Sequence, residues 1–315
     1  MSSDLIQQKM NYSWTDEFNN LHSGKVLISK GDYKVIDCSS CNFIHCTPIP
    51  NDEALNAYYA DTYYQSDRPN YANQHKKDRD WWKLTNYNRY TKFEKSLGRK
   101  GKILDIGCGP GFFLKDGIDL QWDVIGVEPS KEAAEYARSL GLDCINTSFS
   151  SKLFKEDDKF DVVIINQAIE HIPYPNLLLK EIKSILVDDG LLSIVAANDF
   201  NILQEIALSK YNLDSWWAVP PEHLNYFSHK SLSDLVTREG FSVVDCSSTF
   251  PIDLFLLMGD MYIGDNDIGR KAHARRKELE TSLYNAGKSN LLNDLYKALA
   301  NLGLGREIDL ICKNS

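Results

Sequence analysis

Asp105, Gly107, Gly109 and Gly111 alternate along Ile103-Leu104-Asp105-Ile106-Gly107-Cys108-Gly109-Pro110-Gly111-Phe112-Phe113-Leu114, where an apolar run gives way to a turn. Glycine lets a backbone approach a ligand closely and adopt dihedrals closed to larger residues, so the stretch reads as a cradle for a nucleotide-like molecule. A dinucleotide fingerprint, G-x-G-x-x-G, would need its third glycine where Phe112 stands, which argues against a dehydrogenase. A second acid, Glu128, ends the run Val124-Ile125-Gly126-Val127. It can accept hydrogen bonds from both hydroxyls of a ribose, or it is a glutamate in a surface turn. Two histidines have an acid beside them, His171 after Glu170 and His223 after Glu222. Imidazole suits proton transfer near neutral pH, so both are candidate general bases.

These residues need elements to hold them, and the chain supplies an alternation of short apolar runs with helical periods. Ser130 opens a helix with Ala133, Ala134, Tyr136, Ala137 and Leu140 on one face. Phe160-Asp161-Val162-Val163-Ile164-Ile165-Asn166-Gln167 reads as an apolar run, interrupted by Asp161, of the kind expected of a parallel strand covered on both sides. A helical period over 176–187 stops at Gly190, and a strand at 191–197 follows. Ser231-Leu232-Ser233-Asp234 reads as a capping box opening a helix that ends at Gly240. Strands at 241–245 and 306–312 complete a doubly wound α/β pattern. In such open sheets ligands sit beyond the carboxyl ends of the strands, which places Asn166, Gln167, Asn198 and Asp199 at a site by topology alone.

The turn at Asp105 to Gly111, Glu128 and the segment Glu170-His171-Ile172-Pro173-Tyr174-Pro175, in this order, resemble the motifs of class I S-adenosylmethionine-dependent methyltransferases. The resemblance covers about 102–239. It implies a Rossmann-like seven-stranded sheet whose last strand is antiparallel. It also implies S-adenosylmethionine as cofactor, held by Asp105, Gly107, Gly109, Gly111, Glu128, Asn166 and Gln167. Pro220-Pro221-Glu222-His223-Leu224-Asn225-Tyr226-Phe227 resembles a segment of sugar C-methyltransferases and their O-methylating relatives, in which the histidine faces the acceptor. The resemblance makes His223 the base, Glu222 or Tyr226 its orienting group and His171 a second contact.

The amino-terminal part resembles one half of a zinc ribbon, with Cys38-Ser39-Ser40-Cys41 as a C-x-x-C knuckle and Pro48-Ile49-Pro50 as the turn after it. A structural zinc needs four ligands, usually from two such knuckles, and no cysteine precedes Cys38. His22, His45 and Cys46 are the remaining candidates, but His45 and Cys46 are neighbours that point to opposite sides of an extended chain. A metal-free relic of the ribbon is therefore expected. Of the tyrosines that follow (Tyr58, Tyr59, Tyr63 and Tyr64), Tyr59 and Tyr64 are assigned to the cofactor, since aromatic faces attract a sulfonium cation. The aromatic-rich stretch as a whole reads as a helical cap.

The expected organisation is a degenerate ribbon over 1–50, the cap over 51–98, the methyltransferase domain over 99–250 and 304–315, and a helical insertion over 251–303. The last strands of this class usually form a short hairpin. Here more than fifty residues intervene, too long for an idle loop. Helices are expected over about 269–283 and 290–302. The first carries Arg270, Lys271, His273, Arg275, Arg276 and Lys277, either as a solvated face or, through Arg270 and Arg275, as a clamp for an anionic acceptor.

A net charge of −9 weighs against nucleic acid as partner. No apolar run approaches the roughly 20 residues that span a bilayer. The first residues lack the features of a secretion signal, so a cytoplasmic monomer or homodimer with reduced thiols is expected. The function expected is methyl transfer to a hydroxyl or carbon of a sugar or nucleotide-sugar. A quinone or phenol O-methyltransferase and a non-catalytic cofactor-binding subunit are the alternatives.

Overall fold

The computed structural model describes residues 11–51 and 76–314. Tyr58, Tyr59, Tyr63 and Tyr64 lie outside the described residues. The chain opens with β1 (Asn11–Thr15), β2 (Leu21–Lys30), β3 (Tyr33–Cys38) and β4 (Phe43–Thr47). These pair in order as an antiparallel sheet, which gains a fifth strand from much later in the chain. Helix α1 (Arg79–Leu97) leads into β5 (Lys102–Ile106), α2 (Phe112–Asp119), β6 (Asp123–Val127), α3 (Lys131–Ser139) and β7 (Cys144–Ile145). Then come β8 (Phe160–Asn166), a 3₁₀ turn at Ile169–His171, α4 (Pro175–Ile185), β9 (Leu186–Ala197) and α5 (Ile202–Tyr211). The chain continues through β10 (Asn225–Tyr226), α6 (His229–Arg238), β11 (Phe241–Ser248), α7 (Asp253–Leu257), α8 (Asn266–Asn285) and α9 (Ser289–Asn301) to β12 (Glu307–Asn314).

The main sheet is seven-stranded, in the order β11-β12-β9-β8-β5-β6-β7. Its five central and edge strands from β9 to β7 run parallel, and β12 lies antiparallel to both β9 and β11. The Rossmann-like sheet with an antiparallel last strand is thus present as expected. Strand order reverses between β5 and β8, so a crevice opens at their carboxyl ends, where the glycine turn and the Glu170-His171 segment begin. Strand β8 can be so apolar because helices cover both faces, and Val162, Val163, Ile164 and Ile165 are fully buried. Each such side chain contributes about 1.5–3 kcal/mol by leaving water.

Helix boundaries differ from expectation where side chains, not periodicity, decide them. Helix α6 starts three residues early because Ser228 is its cap: its Oγ accepts the Ser231 N–H at 3.1 Å, and the Ser231 Oγ accepts the Ser228 N–H at 2.9 Å. The capping box is therefore Ser228 with Ser231, not Ser231 with Asp234. Helix α4 ends at Ile185, since Leu186 already pairs with Phe160 across the sheet. In the long connection Asp265 caps α8, so that helix begins at Asn266.

Two buried ionic hubs fix the helices over the crevice. Asp116 on α2 takes Arg79 bidentately and the Asn86 amide at 2.7 Å, tying α1 to the first helix of the sheet. Glu280 on α8 accepts from Arg276 at 3.1 Å, from the Trp81 indole at 2.5 Å and from the Tyr296 hydroxyl. That single carboxylate joins α8, α9 and α1, and it holds the Trp81 ring and Arg276 in place. Among the described residues no helix is long and apolar enough to cross a membrane.

Candidate active site

A cavity of about 640 Å³ fills the crevice, within the range of small-molecule sites. The glycine turn forms its floor. Gly107, Gly109 and Gly111 all have positive φ. At Gly111 a side chain is excluded twice: φ is +78°, and a Cβ would stand 2.3 Å from Leu142 Cδ1.

Glu128 braces this turn from the end of β6. One carboxylate oxygen accepts the Gly109 N–H at 2.8 Å and the other the Ser130 N–H at 2.8 Å. Each oxygen keeps a lone pair for a second donor, the arrangement that two vicinal hydroxyls require. Burial pushes Glu128 up to about 6, against the pull of those two N–H groups. Asp105 stands beside it, 2% exposed, with Oδ1 lacking any hydrogen-bond partner. Burial, reinforced by the Glu128 charge, pushes Asp105 up to about 7. A buried, unpartnered carboxylate oxygen on a cavity wall fits a cationic ligand group, which would repay its desolvation. Asn166 and Gln167 lie on the same rim. Gln167, at φ +52°, donates its amide to Glu307 on β12, and both residues line the cavity.

The opposite wall is aromatic and basic. Trp81 and Trp82 from α1, Tyr174, and His273 and Arg276 from α8 line it. The clamp residues do not. Arg270 is held by Asp267 and Arg275 by Asp260, both at the exposed side of α8 and neither on the cavity. The physical reason is helical phase, because Glu280 turns the Arg276 and His273 face inward. Arg276 and His273 were legible only as members of a basic run, and Trp81 only as part of the cap.

His171 separates this cavity from a smaller polar one of about 80 Å³, lined also by Glu170, His223, Arg306 and Glu307. The His171 Nδ1–H donates to the Glu222 carbonyl at 2.6 Å, which leaves Nε2 as the basic nitrogen. So the Glu222 backbone carbonyl holds the other histidine, and the Glu222 side chain reaches His223 only through its charge, behind Asp199 and Glu170. The two imidazoles meet edge to face, 5.0 Å between centroids. His223 lines only the smaller chamber, with Nδ1 3.8 Å from Asp199 Oδ2, an ion-pair distance. Burial depresses its pKa, but Asp199 and Glu170 outweigh that and raise it overall. Asp199 stays low despite its burial, because His223, Arg306 and Gln204 face it. Glu170, fully enclosed, is pushed by burial up to about 7, with His223 acting in the other direction. Tyr226 is buried in a separate cluster with Trp217 and Val35, its ring 6.1 Å from that of His223, and it lines neither chamber.

Asn225 and Leu224 clamp the turn that bears Glu170 and His171. The Asn225 side-chain amide donates to the carbonyls of Ile169 at 3.3 Å and Ile172 at 2.7 Å, and Leu224 N–H donates to the Glu170 carbonyl at 2.8 Å. Nothing in local sequence marks Asn225 for this task. Asn198, placed at the site by topology, instead donates to the carbonyls of Gly303 and Gly305 and secures the turn before β12.

A family model described as a methyltransferase domain matches residues 74–245, more than half of the chain. The chain belongs to this family of methyltransferase domains. It is 29% identical over 116 residues to the ubiquinone biosynthesis O-methyltransferase of Glaesserella parasuis, covering 33% of this chain and 49% of that protein. To the protein of the same name in Pelagibacter ubique it is 30% identical over 101 residues, 31% and 42% of the two chains. The chain thus spans about half the length of the curated relatives it matches. Among solved structures, the plantazolicin methyltransferase BpumL in complex with SAH is 17% identical, covering 82% of this chain and 93% of that one, with a TM-score of 0.49.

Proposed function

We propose that this protein methylates a hydroxyl oxygen of a flat, aromatic acceptor, a phenol or hydroquinone, with His171 as general base. The observation that carries the reading is the position of His171, its tautomer set by the Glu222 carbonyl, on the border between the cavity that holds the glycine turn and the aromatic wall and the smaller polar chamber. S-adenosylmethionine, when bound, supplies an electrophilic methyl group on a sulfonium sulfur. The residues suited to hold it are the turn at Gly107 to Gly111, Glu128 for the ribose hydroxyls, Asp105 for the ammonium group, and Asn166 and Gln167 on the rim. Trp81, Trp82 and Tyr174 stack an acceptor ring, and Arg276 and His273 face its polar substituents.

His171 takes the proton as the acceptor oxygen becomes nucleophilic, and Nδ1–H stays on the Glu222 carbonyl, so the ring keeps its orientation. Glu170, whose carboxyl lies with the ligand atoms of both histidines inside 4.8 Å, steadies the imidazolium that results. A neutral His223 can take that proton in turn, and the Asp199 carboxylate then stabilises the His223 imidazolium that forms. The phenolic acceptor is favoured over a sugar because the wall is aromatic and because Arg270 and Arg275 are turned away from it. The relatives named ubiquinone biosynthesis O-methyltransferases agree with an oxygen acceptor of this kind.

Methyl-labelled donor offered with a panel of catechols, hydroquinones, free sugars and nucleotide-sugars tests the reading by product mass spectrometry. Label on a phenolic oxygen is expected; label on sugars with none on any phenol would overturn it.

Cofactor affinity should also depend on pH with a definite sign. An ammonium group beside Asp105 favours the carboxylate, so binding expels a proton and affinity rises as pH rises through about 7. Below that point the dissociation constant should weaken by about tenfold per pH unit. Calorimetry from pH 5.5 to 8 would show this slope in the wild type, and an unchanged slope in Asp105→Asn would remove the assignment.

A further inference from the structure

At the far end of the small sheet four ligand-bearing side chains converge: His22 on β2, Cys38 and Cys41 around the β3–β4 turn, and His45 on β4. Their ligand atoms all lie within 4.8 Å of one another. His22 Nδ1 is 3.2 Å from His45 Nε2, 3.3 Å from Cys41 Sγ and 3.9 Å from Cys38 Sγ. A tetrahedral zinc with bonds of about 2.0–2.3 Å sets its donors about 3.3–3.8 Å apart, so the four side chains need little adjustment to surround one ion. His22, Cys38 and His45 are buried and Cys41 half-buried, so the site is enclosed.

The outward nitrogens explain why a cation belongs there. His22 Nε2 lies 3.3 Å from the Asp16 carboxylate, which can only accept, so Nε2 carries the proton. Asp16 is itself fixed by the N–H groups of Phe18 and Asn20 and by the Asn20 amide. His45 Nδ1 lies 2.9 Å from the Cys46 carbonyl, also an acceptor, so Nδ1 carries its proton. In the neutral rings this leaves two lone pairs, on His22 Nδ1 and His45 Nε2, pointing at each other. That contact is repulsive unless a proton or a metal ion sits between them, and the two cysteine sulfurs at the same centre suit a metal. Metal-ligating histidines are oriented in just this manner, by a carboxylate or a backbone carbonyl on the remote nitrogen. The expectation of a metal-free relic rested on His45 and Cys46 facing opposite ways. They do, and Cys46 is buried on the other side with Val35 and Trp217. His45 alone suffices, because His22 supplies the fourth donor from a strand that carries no cysteine motif.

We propose that His22, Cys38, Cys41 and His45 hold one zinc ion, and that this ion anchors the strand against which the active-site segment is built. Two thiolates and two imidazoles in a tetrahedron select zinc over harder divalent cations. Strand β4 pairs with β10, His45 opposite Asn225 and Ile44 opposite Tyr226, and the Cys46 N–H donates to the Leu224 carbonyl at 2.8 Å. Asn225 is the residue whose amide clamps the turn bearing Glu170 and His171. The metal therefore acts on the histidine pair by positioning, through one strand pairing, and this second half rests on the reading of His171 as base.

Elemental analysis of the full-length protein, purified under reducing conditions and dialysed without chelator, is expected to find about one zinc per chain. Cobalt exchanged into the site should give the visible thiolate bands of tetrahedral coordination. Cys38→Ser combined with Cys41→Ser should lower zinc content at least tenfold, while Cys46→Ser retains it. A wild-type chain without zinc, even after refolding in excess zinc and reductant, would overturn the site, as would full zinc content in the double variant. The anchoring role has its own readout, independent of any variant's folding. Chelation of the wild-type protein should lower its melting temperature and turnover but leave cofactor affinity within about twofold. Turnover and melting unchanged after zinc is removed would overturn the anchoring role and leave the site standing.

Discussion

Replacing His171 by alanine is expected to lower kcat by about 10²- to 10⁴-fold, the range that a positioned general base supplies. The dissociation constant of the cofactor should stay within about twofold, because His171 lies beyond the glycine turn and Glu128. His223→Ala should cost much less, about tenfold, since His223 faces only the smaller chamber and acts behind His171. The ordering matters more than either value. A motif reading places the base at His223. The geometry favours His171, whose Nδ1–H is committed to the Glu222 carbonyl and whose ring borders both cavities. Stopped-flow or quenched single-turnover rates at saturating donor separate chemistry from release and decide between them. Comparable losses in both variants would point to a coupled pair, and a larger loss in His223→Ala would reverse the assignment.

Glu128→Ala is expected to weaken cofactor binding by about 10²-fold or more. Two hydrogen bonds to an ionised carboxylate are lost, each about 1.5–3 kcal/mol when the partner is left unpaired. The turn is weakened as well, since the Gly109 and Ser130 N–H groups lose their acceptor. Glu128→Gln keeps one carbonyl oxygen and should fall between wild type and alanine. Calorimetric titration with S-adenosylhomocysteine measures the effect without turnover. Affinity unchanged in Glu128→Ala would remove the ribose assignment.

The sheet was legible because its signals are local. Short runs at 103–106, 124–127 and 160–165, apolar but for Asp105 and Asp161, fit strands covered on both faces, and the turn glycines mark where β5 ends. Glu128 was legible for the same reason, as the acid that closes a strand. What local sequence does not carry is which side of an element faces the cavity. Arg270 and Arg275 differ from Arg276 and His273 only by a fraction of a helical turn. That phase is fixed by Glu280, whose partners Trp81 and Tyr296 lie far away in the chain. The roles of the two histidines depend on Asn225 and on the Glu222 carbonyl, contacts some fifty positions from the turn they hold. His22 joins Cys38, Cys41 and His45 across two strand pairings, with no motif of its own. The starts of α6 and α8 were misplaced by three residues because the Ser228 and Asp265 caps, rather than the apolar period, set them, whereas Ser130 caps α3 as expected.

The central claim is that methyl transfer to oxygen passes its proton to His171. Chemical rescue tests it most directly: single-turnover transfer from methyl-labelled donor to a catechol, in His171→Ala, with and without free imidazole. The prediction is a rate depressed by at least 10²-fold that rises in proportion to imidazole concentration, with the label on oxygen and the donor affinity unchanged. Transfer at the wild-type rate in His171→Ala without imidazole would contradict it.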